Sequence, residues 1–172
     1  MTFSPKTRVL ATVMALASSF GAAATGSSTV APRQNLATST LLGTWSLDTS
    51  RMAMPPAQRP KSVRFMFGDA GGNTLAMHVD IVYAPGNEVH SASTSTLDGA
   101  LSAVKNSPEA DTASFKLPAP NVLVMALQRK GVLVSTRIYS VMPDGRGLTE
   151  TAVYPGKNGS VLMKTNYFTR VR

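Results

Sequence analysis

A chain of 172 residues suggests a single domain. It has no cysteine, which excludes thiol catalysis, thiolate metal sites and disulfides. The 17 basic and nine acidic residues give a formal charge of +8, but beyond Lys6 and Arg8 the cations are scattered from Arg33 to Arg172 with no basic arm or aromatic-interleaved basic strand. That distribution does not read as a nucleic-acid interface.

The N-terminus has a basic stretch with Lys6 and Arg8, an uncharged apolar run from Val9 to Ala24, and a small-residue end at Ala22-Ala23-Ala24. That order is the pattern of a secretory signal peptide over residues 1–24, with cleavage expected after Ala24. The apolar run is too short and too rich in Ser and Gly for a membrane span, so no transmembrane segment is expected after processing. Removal would take two of the 17 cations and none of the nine acids, leaving 148 residues with 15 basic and nine acidic side chains. The periplasm or the extracellular space is the expected location. Residues 25–40, rich in Ser, Thr, Ala and Gly, read as a flexible linker, and the domain is expected over 41–172.

From Leu41 onward the hydrophobic period is two. Leu75, Met77, Val79, Ile81 and Tyr83 share one face, while Thr74, His78 and Asp80 share the other, which predicts a half-buried strand. Val63, Phe65 and Phe67 repeat the alternation, as do Val132, Val134, Thr136 and Ile138, and Val161, Met163 and Tyr167 near the end. The run Val122 to Leu127 is apolar throughout and is expected to be covered on both faces. Turn signals at Asp69-Ala70-Gly71-Gly72, Ala84-Pro85-Gly86-Asn87, Pro143-Asp144-Gly145 and Asn158-Gly159 separate the runs. The pattern predicts an all-β antiparallel meander of about eight or nine strands closing into a barrel or a sandwich. Ser50 to Pro60, with three prolines in Pro55, Pro56 and Pro60, reads as a crossing loop. Residues 98–111 read as a surface loop, with a short helix or a lid as alternatives.

No constellation for catalysis stands out. His78 and Asp80 fall on one strand face, and His90 follows on the next strand. A solvated strand face explains them better than a metal site, which needs a proven ligand count and geometry. No Gly-x-Ser-x-Gly elbow occurs. The carboxylates Asp69, Asp98, Glu109, Asp111 and Asp144 lie near turns, with no reason in the sequence to pair any two of them. Gly156-Lys157-Asn158-Gly159 leads into a strand and lacks the ending of a phosphate loop. No catalytic residue, metal or cofactor is expected. Met66, Met77, Met125, Met142 and Met163 fall in predicted strands, where methionine fills irregular apolar space.

Gly43-Thr44-Trp45-Ser46-Leu47-Asp48, the later Pro60-Lys61-Ser62, Leu97-Asp98-Gly99, Ser107-Pro108-Glu109-Ala110-Asp111-Thr112 and the Lys130-Gly131 and Asp144-Gly145 turns resemble a group of small exported bacterial proteins of lipocalin-like shape and unassigned function. The Gly-x-Trp opening is also similar to that of true lipocalins. By that resemblance Trp45 packs at the closed end of a barrel under a basic residue of the last strand, Arg170 or else Lys164.

The first functional reading is a binder of a small apolar molecule. Its cavity would be lined by Phe65, Met77, Val79, Ile81, Met125 and Tyr167. The alternative is a filled barrel acting as a structural or interaction protein, since barrels of this size commonly hold only their own side chains. Phe65, Phe67, Tyr83, Phe115 and Tyr167 would do the filling. An enzyme is the least favoured reading. The oligomeric state is open.

Overall fold

The computed structural model describes residues 35–171. The expected signal peptide and the linker up to residue 34 lie outside them. Ten antiparallel strands form one closed barrel: β1 Gly43–Leu47, β2 Ser62–Asp69, β3 Thr74–Ala84, β4 Asn87–Thr96, β5 Ser102–Lys105, β6 Thr112–Ala119, β7 Val122–Arg129, β8 Val132–Val141, β9 Gly147–Pro155 and β10 Val161–Val171. Each strand pairs with its sequence neighbours, and β1 closes the ring between β2 and β10, with Trp45 opposite both Phe65 and Arg170. Only short 3-10 turns interrupt the β structure among the described residues.

The strand count corrects the expected eight or nine. The tenth strand, β5, lies inside the segment read as a loop. It bridges β4 and β6 through four residue pairs: Ala92–Lys105, Ser93–Val104, Ser102–Ala113 and Ala103–Thr112. With two residues paired on each side, it is too short to leave a clear period-two signature in the sequence. The apolar run of β7 is also not covered twice. Leu123, Met125 and Leu127 are buried, while Val122, Val124 and Ala126 on the outer face are only half-buried, because a barrel wall has a single inner face.

Tight turns set the registers. Lys130 and Gly131 both adopt positive φ, 52° and 77°, in the two-residue connection of β7 and β8. That mirror-image turn matches the twist of a hairpin and favours glycine at its second position.

The end of the barrel where β1 begins is sealed. Trp45 is fully buried, and its indole Nε1 donates to the Leu41 carbonyl at 2.8 Å. The Arg170 guanidinium lies over the indole ring at 4.1 Å. It also donates to the carbonyls of Thr40, Leu42 and Gly145 at 2.6–2.8 Å, tying the segment before β1 to the β8–β9 turn. Gly43 adopts φ 125°, which favours glycine, and a β-carbon there would sit 2.7 Å from the Arg170 Nη1 and displace it. Packing begins earlier than Leu41. Leu36 is 1% exposed, and its amide is held by the Asn73 side chain, so the last residues of the expected linker belong to the barrel's cap.

Above this seal the interior is filled by Leu75, Leu97, Leu117, Leu123, Val141 and Leu148 among others. Four aromatic rings cross the barrel above them. Phe65 stands 4.8 Å from Phe168 and 5.7 Å from Tyr139, and Phe67 stands 5.5 Å from Tyr139, by ring centroids. Rings at these separations attract beyond the area they bury. This aromatic layer floors the remaining, open half.

Candidate functional site

Between the aromatic floor and the opposite end lies a cavity of about 330 Å³, within the range of small-molecule sites. Room for it comes largely from β4, whose inward positions above the floor are Val89, Ser91 and Ser93, and from Ala113 on β6. The Ser50–Pro60 loop folds over the mouth, placing Met52, Met54 and Pro60 along its edge. Arg59 holds that loop in shape by donating to the carbonyls of Met54 and Ser50 at 2.9 and 2.8 Å.

Five of the six residues expected to line a cavity do so: Phe65, Met77, Val79, Ile81 and Met125. Tyr167 does not. It points outward under the Arg51 guanidinium, 3.4 Å from the ring centroid, and its neighbour Phe168 is the buried one. Because the strand period is two, reading β10 one residue out of step puts every side chain on the wrong face. Val161 and Met163 are each 62% exposed, and so is their neighbour Leu162 at 53%, because the first five residues of β10 are exposed on both faces. Among the expected barrel-fillers, Phe65, Phe67 and Phe115 are buried, whereas Tyr83 sits exposed at the mouth.

The β8 face is likewise reversed. A bulge offsets the pairing so that Leu127 faces Ser135 and Gln128 faces Leu133, leaving Val134 as the extra residue. An extra residue inverts the alternation beyond it. Ser135, Tyr139 and Val141 are consequently buried and Arg137 lines the cavity, while Ile138 is exposed.

This inversion brings a polar network inside the barrel. Arg137 Nη1 donates to Glu150 Oε1 at 2.8 Å, and Arg137 Nη2 donates to Glu109. The Tyr139 hydroxyl donates to Glu150 Oε1 at 2.9 Å, and Asn166 Nδ2 donates to Glu150 Oε2 at 2.7 Å. Ser135 Oγ donates to Glu109 Oε1 at 2.9 Å. Glu150 is almost completely buried, and the Arg137 side chain is 14% exposed. A buried charge is tolerated only when paired and hydrogen-bonded, and among the described residues no buried side-chain polar atom lacks a partner. Glu109 comes from the β5–β6 loop, which Arg129 clamps by donating to the carbonyls of Ser107, Pro108 and Glu109.

The network holds its protons firmly. Burial opposes the charge of Arg137, but the fields of the Glu150 and Glu109 carboxylates help to outweigh it and raise its pKa above the ordinary arginine value. Burial, reinforced by the Glu150 charge, lifts the Tyr139 phenol well above its usual range. Burial also raises Tyr154, which lines the same wall. Both phenols therefore act as neutral groups near pH 7.

Both histidines lie on the outside. His78 is exposed, and His90 stands opposite Asp80 in the β3–β4 pair. His90 Nδ1 is 2.8 Å from Asp80 Oδ1, and Nε2 is 3.3 Å from Glu88 Oε2. Among the described residues no cluster of His, Asp or Glu has the arrangement of a metal site. No described helix is long and apolar enough to cross a membrane.

Sequence reasoning missed Arg137, Glu150, Tyr139, Ser135 and Asn166 as inward residues, and Glu109 as their partner. A signal was present. Arg137 and Glu150 are charges of opposite sign in the middle of two strands joined by one hairpin, and such pairs stabilise one another across strands. No protein-family model matches the chain, and no curated protein is detectably similar to it.

Proposed function

We propose that this protein is an exported, lipocalin-like binder of a small apolar molecule in the cell envelope, periplasmic or secreted, and that it holds its ligand without transforming it. The observation that carries the reading is the cavity of about 330 Å³ above the aromatic floor, with an apolar wall from β2 and β3 and a few polar groups converging from β8 to β10. Apolar walls with a small number of placed polar groups are the usual make-up of a ligand site. The Trp45–Arg170 stack at the sealed end supports the lipocalin-like comparison, and the basic and apolar N-terminal order supports export. Placement of both histidines outside the barrel, together with neutral phenols and a firmly protonated arginine inside it, favours holding over acid–base chemistry.

The neutral fluorophore N-phenyl-naphthylamine tests the reading. It is expected to brighten on binding at micromolar concentration and to raise the melting temperature as its concentration rises. Val79→Trp fills the cavity and is expected to abolish both effects. Saturating probe with no change in either would favour the filled-barrel interaction protein. Native mass spectrometry of protein purified from its host is expected to reveal the bound molecule itself.

A further inference from the structure

We propose that the cavity selects amphiphiles with a cationic head, of the alkylammonium class, and discriminates against alkyl carboxylates. This rests on the ligand-binding reading above and adds the sign of the head group.

The charged residues that line the cavity are Glu109, Glu150 and Arg137, two carboxylates against one guanidinium. The cation is already committed. Its Nη1 and Nη2 serve the two carboxylates, and its Nε is directed at Ser135 Oγ, 3.5 Å away. A carboxylate head entering the cavity would meet no uncommitted cation among the lining residues and would face two like charges; the Lys164 ammonium lies outside that lining, over the Tyr154 ring at 5.8 Å. Inside a barrel such repulsion is screened far less than in bulk water.

Acceptor capacity, by contrast, is in surplus. Each carboxylate oxygen can accept about two hydrogen bonds. Glu109 accepts one side-chain donor on each oxygen, from Ser135 and from Arg137. Its side chain is 34% exposed, so the unfilled lone pairs are within reach of an entering head group. An ammonium supplies donors to fill those sites and brings the formal charge of the lining to zero. The facing wall, Phe65, Met77, Val79 and Ile81, receives the alkyl tail.

Displacement of N-phenyl-naphthylamine by chain-matched decylammonium, decanol and decanoate tests the proposal at neutral pH. Decylammonium is expected to displace the probe at a concentration at least tenfold below that needed for decanoate, with decanol between them. The ratio is expected to shrink toward one in Glu109→Gln, checked for folding by its melting temperature. Decanoate that competes as well as decylammonium, or a ratio unchanged in folded Glu109→Gln, would overturn the selectivity while leaving ligand binding intact. A probe that fails to bind at all, with decanol also without effect on the melting temperature, would overturn ligand binding and this proposal with it.

Discussion

Two walls of the barrel follow the same two-residue alternation and put opposite chemistry inside. On β2 and β3 the inward residues are apolar, with Phe65 and Met77 buried and Val79 and Ile81 lining the cavity, and the exposed positions include Arg64 and His78. On β8, β9 and β10 the inward set includes Ser135, Arg137, Glu150 and Asn166, and the exposed set includes Ile138, Val161 and Met163. The first wall is stabilised by area removed from water and tolerates changes of shape that conserve volume. The second is stabilised by mutual satisfaction of charges, so its members depend on one another. Hydrophobicity marks the inside only where the interior itself is dry.

The largest expected effect is on the polar wall. Glu150→Ala leaves Arg137 and Tyr139 without their shared acceptor and should destabilise the fold by about 3–5 kcal/mol, measured as a shift in the urea midpoint. A midpoint close to wild type would mean that the network does not hold the wall together.

Phe168→Ala and Tyr167→Ala form a paired test of the β10 face. The first removes a buried ring from the aromatic floor and should cost about 3–5 kcal/mol. The second removes only an outer stack under Arg51 and should cost about 1 kcal/mol or less. Equal losses, or a reversed order, would break the assignment of inside and outside on this strand.

On the apolar wall, Met77→Leu conserves volume and should cost less than about 1.5 kcal/mol. A thermal melt that drops as far as that of Glu150→Ala would erase the contrast between the walls.

The smallest effect belongs to the outer surface of the apolar wall. Hydrogen bonds to Asp80, then Glu88, raise the His90 pKa above its ordinary 6.5. Its protonated form is favoured by folding, so the stabilisation is full below pH 6.5 and fades as pH rises through the raised value in the folded protein. Melting temperature should fall slightly over that window in the wild type and be flatter in His90→Gln. Titration of the His90 ring protons by NMR should show the elevated midpoint, and a midpoint at or below the ordinary value would refute the pairing.

Much of the barrel was legible from the chain alone. Period-two runs and glycine-rich turns specify antiparallel strands locally, because side-chain alternation and positive-φ tolerance are properties of neighbouring residues. They placed nine of the ten strands and the inward face of β3, from Leu75 to Ile81. Tertiary structure alone decided the closure of β1 on both β2 and β10, the recruitment of four-residue β5, and the faces of β8 and β10. The bulge at Val134 shows why. A single extra residue changes no local preference, yet it reverses which side chains meet the interior. Arg137 can lie inside only because Glu150 from the next strand and Glu109 from a loop 28 residues away in sequence arrive to neutralise it. A charge in a strand reads as outward until its partners are known, and only the closed barrel brings them together.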